Sequence, residues 1–197
     1  NNKTFIIRDA SKKFYTNTKT GKKLISVTTY NEDSLPEPSE LLYTASDLGE
    51  MTDTIIRDYF DGSIKDYSTY KISNEQVFVD FIKQLGVLKQ HFVKNKETVL
   101  AKGIVLYNDE LGIAGTVDLL TYDDNGVFRI YDAKTMKGNN FTEKYKGHAL
   151  SKYDTTEYGK SKRQKHQEQL SLYRILLNNT HGVLAKELNV LPIEVDY

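Results

Sequence analysis

The chain has no cysteine among its 197 residues. That excludes disulfides, zinc–thiolate centres and thiol nucleophiles, and leaves any metal or catalytic site to oxygen and nitrogen donors. It has no net charge, 27 basic residues balancing 27 acidic ones, so attraction of the whole molecule to nucleic acid is not expected. No apolar run reaches the length of a membrane span and no secretory leader opens the chain, so a soluble, cytoplasmic protein is expected. A start on Asn1 and not on Met reads as a trimmed chain. Proline is scarce, and two of its three copies, Pro36 and Pro38, sit among acids in a stretch over 31–38 that reads as a loop. Composition does not shift along the chain, which predicts a single domain over 1–197, with a hairpin and loop over 1–45 and the main body over 46–197.

Alternation is what the sequence does have. Ile113, Gly115, Val117, Leu119 and Thr121 alternate with Ala114, Thr116, Asp118 and Leu120, and Val127 to Tyr131 does much the same, so both segments read as strands. Between them lies Asp123-Asp124-Asn125-Gly126, where the Asn-Gly pair supplies the positive φ of a tight connection. Folding back about that turn brings Asp118 level with Asp132, and Lys134, two residues on, projects from the same face as Asp132. Two carboxylates and an ammonium thus converge. This grouping suits Mg²⁺ or Mn²⁺ held by Asp118 and Asp132, with Lys134 placed to hold an attacking water or to offset charge on a phosphate. The bland alternative is a structural ion pair at a strand end.

The surrounding segments have their own periods. Thr4–Ile7, Lys13–Tyr15 and Leu24–Thr28 read as strands of an amino-terminal hairpin. A helix is expected from Ser46 or Asp47 to about Phe60, and a second over 74–95 with Phe78, Phe81, Ile82, Leu85, Leu88 and Phe92 on one stripe. Thr98–Tyr107 reads as a strand, a helix is expected over 162–179 and a closing strand over 189–195. Between Lys134 and Lys165 nine basic residues (among them Lys137, Lys162, Arg163 and Lys165) face three acidic ones, a local positive track that follows the proposed metal site directly and suits a phosphate backbone.

The order Gly115-Thr116-Val117-Asp118, then Asp132-Ala133-Lys134, then Gln169-Leu170-Ser171-Leu172-Tyr173 resembles the PD-(D/E)XK nuclease superfamily in its RecB-like exonuclease branch. The segment Ser26-Val27-Thr28-Thr29 is similar to one in the phage and mitochondrial genome maintenance exonucleases. The resemblance implies an α/β (α+β) fold with a restriction-endonuclease-like αβββαβ core, a mixed central sheet, flanking helices and an amino-terminal β-hairpin. It implies a Mg²⁺- or Mn²⁺-dependent deoxyribonuclease, an exonuclease more than an endonuclease, acting on single-stranded DNA or duplex ends in phage or bacterial recombination and repair.

It also implies roles. Ala133 would lend its carbonyl to the metal. Gln169 and Tyr173, one helical turn apart, would lie beside the active site and meet DNA, as would Ser26 and Thr28. The competing reading of Tyr173 is a core residue, and of Ser26 and Thr28 ordinary strand formers on an outward face. The family's metal-binding histidine falls here on Asp53. A carboxylate also holds Mg²⁺, and Glu50 is the fallback, while the structural alternative for Asp53 is an ion pair with Arg57 one turn on. A glutamate that relatives often carry early in the first sheet strand has no counterpart, Glu97 and Glu110 fitting poorly by spacing. These two departures favour a second reading, a nuclease-fold module that binds DNA without cleaving it.

Overall fold

The structure, a computed structural model, describes residues 5–11, 13–30, 39–70, 72, 74–136 and 162–194, with side chains described except at 39–49, 135, 136, 162–166, 190, 192 and 194. The described chain is mixed α/β. Three short strands, β1 (Ile6–Arg8), β2 (Phe14–Asn17) and β3 (Lys22–Ser26), lead into a helical turn α1 (Val27–Tyr30) and the helices α2 (Ser39–Asp61) and α3 (Glu75–Lys94). Strands β4 (Thr98–Asn108), β5 (Ile113–Tyr122) and β6 (Phe128–Met136), helix α4 (Lys162–His181) and strand β7 (Ala185–Glu194) complete it. The expected order of helix, three strands, helix and strand is present. All seven strands share one sheet in the order β1-β2-β3-β5-β6-β7, with β4 on the other side of β5. It is mixed: β3–β5 and β6–β7 run parallel, the remaining pairs antiparallel.

Helices cover both faces. On one, Leu170, Tyr173, Leu176 and Leu177 of α4 pack on Leu106, Val117, Leu120 and Ile130, while on the other Ile55, Ile56, Phe81, Leu85 and Phe92 of α2 and α3 pack on Leu119, Tyr131 and Ile193. Burying such a stripe of Leu, Ile and Phe, each contributing about 1.5–3 kcal/mol, is what holds these helices to the sheet. The stripe expected on the second helix is the one observed, and Asn74 caps it by accepting from the Gln76 N–H at 2.8 Å.

Several boundaries differ from the sequence-based expectation. Helix α2 begins at Ser39, about two turns before the expected Ser46 or Asp47. β3 stops at Ser26, and Val27–Tyr30 is helical, not strand. The cause is local: Ser26 Oγ accepts from the Thr29 N–H at 3.1 Å, so Ser26 caps a turn where an alternating pattern suggested more strand. Ser26 is accordingly buried and does not face outward as a strand former would. The β5–β6 connection is the five residues 123–127, closed by the Asp123 N–H donating to the Val127 carbonyl at 3.1 Å. Gly126 alone has positive φ (74°), and Asp123 organises the turn by accepting from the backbone N–H groups of Asn125 (2.8 Å) and Val127 (3.1 Å). The closing strand begins four residues earlier than expected, at Ala185.

Candidate active site

The site arises where β5 and β6 part. They pair from Tyr122↔Phe128 to Leu119↔Tyr131, and there the ladder ends. On the same side of β5, β3 pairs only with Ile113 and Ala114. Among the described residues, Gly115–Asp118 between them therefore have no strand beside them on that side, and the gap is a cavity of about 300 Å³. Asp118 closes the ladder with its side chain, Oδ2 accepting from the Ala133 N–H at 2.7 Å. Asp132 and Lys134 enter from β6, with Lys134 Nζ 3.1 Å from Asp132 Oδ2. Asp53 enters from α2 and shares a hydrogen bond with Asp118.

The cavity gathers nine of the residues expected to act: Ser26, Thr28, Asp53, Asp118, Asp132, Ala133, Lys134, Gln169 and Tyr173. Glu50, the fallback ligand, also lines it, at the exposed rim. Asp53 bonds to Asp118 where an ion pair with Arg57 was the alternative, although Arg57 lies near enough for its charge to pull the Asp53 pKa down. Lys137 lies outside the described residues, and so do the side chains of Lys162, Arg163 and Lys165 in the first turn of α4. Four residues at the cavity went unnoticed in the sequence: Arg8, Tyr15, Thr52 and Thr116. Thr116 alone carried a signal, since alternation puts it on the face of Asp118.

Gly115 explains the glycine three residues before the carboxylate. A Cβ built there would lie 2.5 Å from Tyr173 Cε1 and 2.9 Å from Val27 Cγ2. The aromatic ring thus lies against bare backbone, and α4 approaches the strand closely enough to reach the cavity. Gln169 then fastens α4 to the helical turn α1, its Nε2 donating to Tyr173 Oη (3.1 Å) and Thr28 Oγ1 (3.2 Å). Tyr173 is both a core residue and a wall of the cavity.

Electrostatically the cluster is crowded with negative charge. Burial, then the charges of Asp53 and Asp132, push the Asp118 carboxyl well above the ordinary carboxylate range, and its hydrogen bond with Asp53 requires one proton between the two carboxyls. Burial raises Asp53 as well. For Lys134 burial works against the charged form, but Asp132, Asp118 and Asp53 outweigh it and hold the ammonium above its usual pKa. Burial and the same two carboxylates, Asp132 and Asp118, push the Tyr173 phenol well up. Asp132 is 4 % exposed, and its Oδ2 has the Lys134 charge beside it without a hydrogen bond of proper geometry.

Three carboxyl groups against one ammonium, with one carboxylate oxygen short of a donor and one carboxyl kept protonated, is a donor set that fits a hard cation, which would take the place of that proton. Among the described residues no three His, Cys, Asp or Glu side chains stand ready to cage an ion. A cation here would rest on one or two carboxylates, with water and substrate oxygens completing its shell, as is usual for Mg²⁺.

Glu97 is a contrasting case. Its Oε1 accepts from Thr121 Oγ1 (2.9 Å) and Tyr131 Oη (2.6 Å), so this buried carboxylate is a structural anchor between β4, β5 and β6. No protein-family model matches the chain, and no curated protein matches it. Among the described residues no helix is long and apolar enough to cross a membrane.

Proposed function

We propose that the protein is a Mg²⁺- or Mn²⁺-dependent deoxyribonuclease of the PD-(D/E)XK type, hydrolysing phosphodiester bonds in single-stranded or end-containing DNA. The observation that carries this reading is the convergence of Asp118, Asp132 and Lys134 at the point where β5 and β6 separate, with Gln169 and Tyr173 on the wall beside them. Asp118 and Asp132 would hold the cation, with the Ala133 carbonyl and Asp53 as further donors. Bound there, a divalent cation supplies Lewis acidity to the phosphate and acidifies water.

The chain's own groups do the rest. Lys134 Nζ, kept charged by Asp132, donates hydrogen bonds to an attacking water or to the phosphate oxygens on which charge builds. Burial of the cluster strengthens each such interaction relative to water. The water oxygen forms the new bond to phosphorus, one P–O ester bond breaks, and the departing oxygen leaves with a proton. Gln169 and Tyr173 set the wall against which the strand lies. The positive track over 134–165 suits the phosphates further along.

The rival reading, a module that binds DNA without cutting it, draws on the Asp118 proton: if no cation displaces it, the cluster is inert. End-labelled single-stranded and duplex DNA incubated with Mg²⁺, with Mn²⁺ and with chelator separates the two. Metal-dependent loss of label supports the nuclease, and salt-sensitive binding with no cleavage in either metal supports the module.

A further inference from the structure

The amino-terminal hairpin contributes Arg8 and Tyr15 to the lining of the cavity. Arg8 and Tyr15 are cross-strand partners, so their side chains share a face. The Arg8 guanidinium carbon lies 5.9 Å from the centre of the Tyr15 ring. Tyr15 is 2 % exposed, and its hydroxyl is 2.8 Å from Thr116 Oγ1, two residues before Asp118 on the same strand. A buried tyrosine thus ties the arginine's face of the hairpin to the strand that bears Asp118.

The cavity's charges make that wall matter. Among the described residues lining it, Asp53, Asp118, Asp132 and Glu50 are acidic, and only Arg8 and Lys134 are basic. Lys134 lies within the carboxylate cluster, 3.1 Å from Asp132. Arg8 lines the cavity and is exposed. A phosphate entering a site of mostly negative charge needs a cation on its far side, and a guanidinium presents paired N–H donors that match phosphate oxygens. A cavity of about 300 Å³ is at the small end of ligand sites, on the scale of one sugar-phosphate unit.

We infer that Arg8, seated on Tyr15, is a substrate-binding residue that grips a backbone phosphate next to the one being cleaved, so that the hairpin is a second wall of a single-strand subsite. This rests on the nuclease reading and adds a substrate contact to it.

The test uses the full chain and oligothymidine. In cleavage assays, Arg8→Ala raises KM on the order of tenfold, the loss of one charge-assisted contact, and leaves kcat unchanged, while Arg8→Lys recovers most of the effect because the charge remains. Fluorescence anisotropy in Mg²⁺, in a Lys134→Ala background that suppresses cleavage, gives a second readout. There Arg8→Ala lowers the slope of log affinity against log salt by about 0.7, one phosphate contact on a single strand. An unchanged slope and KM, in a parent that binds oligothymidine with normal salt sensitivity, overturns the Arg8 assignment alone. Equal losses of kcat and affinity with a lowered Tm and no rescue by lysine also overturn it, making Arg8 structural. A parent that neither binds nor cuts oligothymidine overturns the nuclease reading and this inference with it.

Discussion

Gly115→Ala is the substitution whose cost is most directly set by the geometry. The new Cβ would stand 2.5 Å from Tyr173 Cε1 and 2.9 Å from Val27 Cγ2, where carbon atoms ordinarily rest about 3.5–4.0 Å apart. Neither neighbour has room to yield, Tyr173 being 4 % and Val27 0 % exposed. Overpacking of this kind costs about 1–3 kcal/mol, and strain on the Gln169–Tyr173 hydrogen bond adds about 1 kcal/mol. Removing a glycine from the unfolded chain offsets about 0.5–1 kcal/mol. The net expectation is a loss of about 1–3 kcal/mol, with Tm falling by about 2–4 °C for each kcal/mol. Gly86→Ala is the control. Gly86 is in the interior of α3, and a Cβ there would meet only Tyr59 Oη at 3.6 Å, so the same change should stabilise by about 0.5–1 kcal/mol. Thermal and urea denaturation of both variants measures the difference. If Gly115→Ala is as stable as wild type while Gly86→Ala gains as expected, the contact between Tyr173 and the strand is not there, and the account of why this glycine precedes the carboxylate fails.

Other consequences follow from the charges. Asp118 keeps a raised pKa in the folded state, so the folded protein holds a proton that the unfolded chain releases above about pH 4, and metal-free stability falls as pH rises through that folded pKa. Asp118→Asn should therefore stabilise the chelated protein by about 1–4 kcal/mol, more at pH 8 than at pH 5, while abolishing cleavage. Urea midpoints at the two pH values check this, and an equal gain at both, or a loss, contradicts it. Wild type in Mn²⁺ should gain thermal stability as metal is titrated, and more steeply at pH 8, because binding must displace the Asp118 proton. Glu97→Ala should cost about 2–4 kcal/mol by stranding the Thr121 and Tyr131 hydroxyls, yet leave cleavage per folded molecule unchanged below its Tm. A fall in kcat at full folding would instead place Glu97 in the chemistry.

Much of this was legible in the chain. The apolar stripe from Phe78 to Phe92, the alternation around Asp118 and the turn at Gly126 are local patterns, and local patterns fix local elements. The meeting of Asp118 with Asp132 and Lys134 followed from hairpin arithmetic. What was not legible is tertiary. The ladder stops at Leu119↔Tyr131, and β3 docks parallel on Ile113 and Ala114, and neither event has a signature in residue order. The opening they leave is the cavity itself. Arg8 and Tyr15 were missed for the same reason, since Tyr15 reaches Thr116 across about a hundred residues of chain, Arg8 lies against Tyr15, and only the sheet brings them there. The expected strand through Thr28 failed differently: Ser26 found a closer partner in the Thr29 backbone, and a cap displaced the strand.

The central claim is that Lys134, beside Asp118 and Asp132, serves phosphodiester hydrolysis and not merely an ion pair. The most direct measurement is single-turnover cleavage of end-labelled single-stranded DNA in saturating Mn²⁺ by wild type and by Lys134→Ala, with DNA binding and Mn²⁺-induced thermal stabilisation recorded for both. The account predicts metal-dependent cleavage by wild type and a rate lower by about 10²–10³ in the variant, which still binds DNA and metal. Cleavage by Lys134→Ala at the wild-type rate would contradict it.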